Sequence, residues 1–184
     1  MRLSGENSSM DNDVLELVEN DAMCRVFLRH AYSYAQSYSK DPSTQLGAVL
    51  VQPHGGVIGW GVNGLPDRIL DKEDRWERPQ KYDYVEHAER NVIYKCAERG
   101  ICSTGLIMYC PWFACTDCAR AIIQSGISAV VGHKEFYEHT NERWNESTKL
   151  GMEMLKEAGV LTKLWSGKIE NNISIRVNGE EFHP

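Results

Sequence analysis

Before Val14 the chain shows no regular alternation of apolar and polar positions, and residues 1–20 read as a flexible polar lead. From Asp21 the pattern changes: Met23, Val26, Phe27, Ala31, Tyr34, Ala35 and Tyr38 recur at steps of three and four, the period of a helix with one buried stripe. Asn20 or Asp21 supplies its cap, and Asp41-Pro42 ends it, because proline cannot extend the helical hydrogen-bond ladder. Leu46–Val51 and Val57–Val62 are short apolar runs joined by the turn-forming QPHGG, which predicts a β-hairpin. Residues 66–84 are dense in charge, hold Pro66 and Pro79 and keep no sustained period, so a long surface loop carrying a short helix is expected there.

Regular alternation follows. His87–Arg99 places Val92, Ile93 and Cys96 on one side and closes at Gly100, as a helix does. Leu106–Tyr109 predicts a strand, Thr116–Ser125 a helix closed by Gly126, and Ile127–Val131 another strand. Glu142–Ala158 predicts a long helix with Leu150, Met154 and Leu155 turned inward, Val160–Trp165 a strand, and Ile173–Val177 before Asn178-Gly179 a terminal strand. Strands interleaved with helices imply a mixed or parallel sheet covered on both faces, and residues 21–184 read as one domain. At 184 residues, 42% hydrophobic and 25% charged, the composition is that of a folded globular chain.

Charge and targeting narrow the function classes. No apolar run approaches the roughly 20 residues that span a bilayer, and the first residues lack the apolar segment of a secretory signal, so a cytoplasmic setting is expected. A formal charge of −6 works against a whole-protein grip on a phosphate polymer and favours a small substrate. Of the six cysteines, Cys115 and Cys118 form a C-x-x-C spacing, which in a reducing compartment points to metal or redox chemistry ahead of a disulfide. Cys24, Cys96 and Cys102 read as small buried or half-buried side chains and not as ligands.

His87-Ala88-Glu89 and Cys115-Thr116-Asp117-Cys118 both fall where a loop hands over to a helix. Free N–H groups and a partial positive charge at a helix start favour thiolate. One imidazole and two thiolates suit zinc, and three protein ligands leave a fourth tetrahedral position for water, whose pKa zinc lowers from about 15.7 to about 7. Glu89, two residues past His87, is placed to move protons for that water. A thioredoxin-like dithiol enzyme and a structural zinc site completed by Cys110, His133 or His139 are the rival readings.

This constellation resembles the zinc-dependent cytidine deaminase superfamily, whose signature is H-x-E followed by P-C-x-x-C. SKDPSTQLGAVLV at 39–51, GVNGLP at 61–66, HAERNVI at 87–93 and CTDCARAIIQSGI at 115–127 are similar, in the same order, to segments of the deoxycytidylate (dCMP) deaminase branch. The resemblance runs from about Tyr34 to Val131 and continues more weakly over 143–160. It implies a three-layer α/β/α fold with a mixed, five-stranded sheet, a homo-oligomer that is commonly a hexamer, and hydrolysis of dCMP to dUMP and ammonia under dCTP and dTTP control. A deaminase acting on a tRNA adenosine or another nucleic-acid base is the alternative, disfavoured by the charge. Carried over by position, His87, Cys115 and Cys118 hold Zn2+ and Glu89 is the general acid and base. Asn63 and the Ala88 N–H bind the nucleotide, Tyr137 packs on it, and Lys40 and Ser43 lie in the segment that reaches the phosphate. This sequence departs from the pattern at Ala114, where the family has proline, at Glu86, beside the first ligand, and at Asp67, where relatives extend a glycine pattern.

Overall fold

The structure, a computed structural model, describes residues 7–139, 142–169 and 172–184, with side chains over 7–11 and 142–145 left aside. Residues 1–6 of the expected flexible lead therefore lie outside the described residues, and the remainder corrects that expectation: Asn7–Glu19 is a helix, α1. Val14, Leu17 and Val18 form a stripe barely two turns long, too brief to register as a period, yet all three are buried. α2, Asp21–Tyr38, starts as predicted, with Asn20 Oδ1 accepting from the Met23 N–H at 3.1 Å, and buries Phe27, Leu28, Ala31, Tyr32 and Ala35.

A five-stranded sheet in the order β2-β1-β3-β4-β5 forms the middle layer, built from β1 Gly47–Val51, β2 Val57–Val62, β3 Ile107–Tyr109, β4 Ala129–His133 and β5 Leu161–Trp165. β1 is antiparallel to β2 and β3, while β3, β4 and β5 run parallel, so the sheet is mixed as expected. β1 and β4 are buried throughout, as strands covered on both faces must be. Two glycines set how closely the helices approach. A Cβ at Gly47 would collide with the Ala31 carbonyl of α2. On the opposite face a Cβ at Gly61 would lie 2.6 Å from Val92 N and 2.8 Å from Ala88 O of α4, Ala88–Glu98.

Because β1 begins beside the end of β2 and runs against β3, the 39–46 loop, Asn63 and the Cys110–Cys115 turn all gather at one edge of the sheet. That edge receives the start of α4 and of α5, Thr116–Gln124. The charged loop holds a 3₁₀ turn, Glu73–Trp76, and one turn of helix, α3, Lys81–Tyr84. A short helix that the pattern did not announce, α6, Lys134–Glu138, buries Phe136. α7, Glu142–Glu157, packs on α5 and β5 through Thr148, Gly151 and Leu155, whereas Leu150, expected inward, is exposed. The terminal strand is one half of a hairpin, β6 Ile175–Val177 and β7 Glu180–Phe182, turned by Asn178 (φ 55°) and Gly179 (φ 88°).

Candidate active site

His87 and Cys115 occupy the cap positions of α4 and α5, each in extended backbone geometry, and Cys118 lies in the first turn of α5. The two helix starts thereby aim three ligand atoms at one point, all within 4.8 Å of one another. His87 Nδ1 is 3.6 Å from Cys115 Sγ and 3.4 Å from Cys118 Sγ. A tetrahedron with bonds of about 2.0 Å to nitrogen and about 2.3 Å to sulfur has an N···S edge of about 3.5 Å, so these residues fit zinc. Among the described residues no other such group occurs. Of the alternative fourth ligands, His133 bonds Tyr32 and Gly167 and His139 stacks on Phe182, so neither faces the site.

The electrostatics of the group suit a metal site. A hydrogen bond from Cys118, against the opposing effect of burial and with help from His87, lowers the Cys115 thiol to about 4. The same hydrogen bond, together with burial, pushes the Cys118 thiol up. Burial lowers the His87 imidazole, but its bond to Cys115 and the Glu89 charge outweigh that and leave it raised. Burial raises Glu89, a carboxyl only 3% exposed whose Oε2 has no hydrogen-bond partner. An orphaned carboxylate oxygen beside a ligand trio is placed for a reactant, since a buried polar atom left unpaired is costly.

Neighbouring residues fix the ligand-bearing turns. Glu86 Oε1 accepts the His87 N–H at 3.0 Å and pairs with Arg90, which reaches Asp117 Oδ2 at 3.5 Å, tying the start of α4 to that of α5. Ser147 Oγ of α7 accepts the Thr116 N–H at 3.2 Å and so caps α5. At Gly151 a Cβ would lie within 3.2 Å of the Cys115 carbonyl group, so α7 lies directly against the turn that lacks the family's proline at 114.

A cavity of about 430 Å³ adjoins this group, its lining including His87, Glu89, Cys115, Asn63, Trp112 and Phe113. Asn63 lies where the sequence places it, but its amide is fully engaged: Oδ1 accepts from Ser39 Oγ and Leu46 N, both at 2.7 Å, and Nδ2 donates to Asp41 Oδ2 at 2.9 Å and Thr44 O at 2.7 Å. Ala88 is the first helical residue of α4, where an N–H has no intrahelical acceptor. Ser43 is not itself part of the cavity lining, but its Oγ lies 3.3 Å from Nη2 of Arg78, which is. Two expected substrate contacts are displaced. Lys40 is exposed and drawn outward by Asp71 at 2.9 Å, and Tyr137 packs edge-on behind Phe113, with ring centroids 6.5 Å apart, outside the cavity lining. Arg78, Lys81, Arg90, Ser147, Thr148 and Asn178 line the cavity without having been singled out in the sequence. Only the Asn178-Gly179 turn carried a signal, and it announced a turn alone.

Comparison with known proteins adds four findings. The cytidine and deoxycytidylate deaminase zinc-binding region matches residues 23–134. The chain is 39% identical over 124 residues to an uncharacterized deaminase in the luxG 3′ region of Aliivibrio fischeri, covering 67% of this chain and 81% of that protein. It is 34% identical over 148 residues to the deoxycytidylate deaminase of Mus musculus, covering 77% and 79%. The crystal structure of dCMP deaminase from the cyanophage S-TIM5 in apo form shares the fold, with a TM-score of 0.58 at 22% identity over 78% of this chain and 97% of that one.

Proposed function

The chain belongs to the cytidine and deoxycytidylate deaminase family, and from that premise we propose that it hydrolyses dCMP to dUMP and ammonia. The observation that carries this reading is the orphaned Oε2 of buried Glu89 beside a three-ligand metal group, with Glu89, His87 and Cys115 lining one cavity. His87, Cys115 and Cys118 would hold zinc, which when bound supplies the Lewis acidity that makes water a nucleophile near neutral pH. Glu89 takes a proton from the attacking water and gives it to ring N3, then takes the remaining proton from the hydroxyl added at C4 and passes it to the departing amine, leaving the carbonyl of dUMP. A carboxyl raised by burial is suited to both directions of transfer. The Ala88 N–H, at the positive end of α4, donates to the pyrimidine carbonyl. Asn63 holds the 39–46 loop around the nucleotide, and Phe113, backed by Tyr137, forms an apolar wall.

The finer reading is a cytoplasmic homo-oligomer, a hexamer, responsive to dCTP and dTTP. In support of an oligomer, Tyr34 and Tyr38 of α2 stack on Trp60 of edge strand β2 with centroids 4.5 and 4.8 Å apart, and Val57 on the same strand is exposed. Zinc-loaded protein is expected to release one ammonia per dCMP consumed, with the triphosphates altering the rate and light scattering giving the subunit number. Intact dCMP after incubation with zinc-replete enzyme would overturn the reading.

A further inference from the structure

Neither the ligand trio nor Glu89 accounts for Arg90, whose side chain lines the same cavity. A cation there either grips an anionic substrate or holds the protein's own carboxylates. Its partners decide between the two. Nε and Nη2 both meet Glu86 Oε1, and Nη1 lies 3.5 Å from Asp117 Oδ2. Every nitrogen of the guanidinium is thus directed at a carboxylate. Because the fork is planar, its two ends hold Glu86 and Asp117 at a defined separation.

Both carboxylates adjoin residues of the trio. Glu86 directly precedes His87 and accepts its N–H at 3.0 Å. The Glu86 backbone is itself pinned, since the Gly64 N–H donates to Glu86 O at 3.0 Å and the Glu86 N–H to Gly64 O at 2.8 Å. Asp117 lies between Cys115 and Cys118 in the first turn of α5, where a carboxylate suits the positive helix end. Its Oδ1 takes Arg120, a side chain 61% exposed. Ala114 precedes Cys115, so no proline ring fixes φ in the turn that delivers this cysteine. The placement of Cys115 therefore depends on what holds α5 from outside. Ser147 and Gly151 of α7 do so on one side. Arg90 does so from α4, the helix capped by His87.

We propose that Arg90 is a positioning residue: by bridging Glu86 and Asp117 it sets the distance between the His87 and the Cys115–Cys118 helix starts, and with it how tightly the trio retains zinc. The inference rests on the zinc reading of the trio and not on the choice of substrate. With the bridge removed, α4 still rests on β1 and β2 and α5 on α7. His87 is then no longer clamped relative to the two sulfurs, and metal–ligand distances tolerate deviations of only about 0.2 Å.

The test compares zinc-loaded wild type with Arg90→Leu, Arg90→Lys, Asp117→Ala, Arg120→Ala and the Arg90→Leu/Asp117→Ala double variant. Zinc transfer to a chromogenic chelator is read first, because it does not depend on turnover. Loss of a group that orients metal ligands weakens binding on the order of 10–100-fold, and Arg90→Leu is expected to lose zinc more readily by that factor. Arg90→Lys, which keeps the charge but reaches one carboxylate at a time, recovers part of it. Asp117→Ala shifts retention in the same direction, and the double variant loses no more than the weaker-binding single one, because the bridge is already open. Arg120→Ala, which removes an exposed pair, retains zinc as the wild type does. The visible absorption bands of the cobalt(II)-substituted protein move in Arg90→Leu and not in Arg120→Ala. With dCMP, kcat falls in Arg90→Leu while KM keeps its wild-type value. Wild-type zinc retention and cobalt bands in Arg90→Leu overturn the assignment, as do additive losses in the double variant or a raised KM with zinc retention unchanged. If Arg90→Leu does not fold, Asp117→Ala decides alone, and wild-type retention and cobalt bands in it overturn the bridge. A wild type that holds zinc but leaves dCMP intact removes the deaminase reading, and the zinc and cobalt measurements still decide on Arg90.

Discussion

Glu89 is buried, raised by its surroundings and left with an unbonded oxygen, a combination tolerated where a side chain must exchange protons. Its neutral isostere keeps the shape but cannot accept a proton. Glu89→Gln is therefore expected to lower turnover by about 10²–10⁴-fold, with zinc content by atomic absorption unchanged. Residue types and spacing made the ligand trio and Glu89 legible, because His-x-Glu and Cys-x-x-Cys are local patterns tied to helix starts. The roles of other side chains were not. Asn63 is an amide in an Asn-Gly dipeptide by sequence, yet four bonds to Ser39, Asp41, Thr44 and Leu46 make it a loop anchor. Lys40 and Arg78 are both exposed cations by sequence, and Asp71 and Ser43 determine which of them faces the cavity.

At the level of elements, the two helix starts depend on how closely α4 and α7 press against their neighbours. Gly61→Ala adds a methyl group that would lie 2.6 Å from Val92 N and 2.8 Å from Ala88 O, where only backbone can yield. Overpacking of this kind costs about 1–3 kcal/mol, so the urea midpoint should fall, and a displaced α4 start should shorten zinc retention in the presence of a chelator. A variant with wild-type midpoint and retention would show that α4 moves freely on β2. The elements the pattern announced are those with long stripes or clear stops: α2 between Asn20 and Asp41-Pro42, α4 before Gly100 (φ 67°), α5 before Gly126 (φ 74°). α1 and α6 escaped notice because their buried residues are few and their stability comes from the surfaces they cover.

Across the whole molecule, a buried chain joins three distant segments: Tyr32 of α2 donates to His133 Nδ1 at 2.6 Å, and His133 Nε2 donates to the Gly167 carbonyl at 2.9 Å. This fixes a neutral imidazole, and burial holds its pKa below the ordinary value although Glu135 lies 3.0 Å from Nε2. As pH falls through about 6.5 the unfolded chain takes up this proton and the folded one does not. Stability from His133 is therefore complete above that pH and declines below it, by up to about 1.4 kcal/mol per pH unit. The gap in thermal midpoint between wild type and His133→Asn is expected to be wide at pH 7.5 and to narrow by pH 5.5. A gap that stays constant would mean that His133 protonates equally in both states. The sequence by itself determined the layered α/β plan and the gathering of His87, Cys115 and Cys118 at two helix starts with Glu89 beside them, because each motif is written in residues close along the chain. Only the tertiary structure decided that the C-terminal hairpin clasps the 39–46 loop, that Lys81 is neutralised by Asp41 and that Arg78 lines the cavity with no carboxylate partner among the described residues. Those outcomes depend on which charges meet across forty or more than a hundred residues, and no local spacing encodes that pairing.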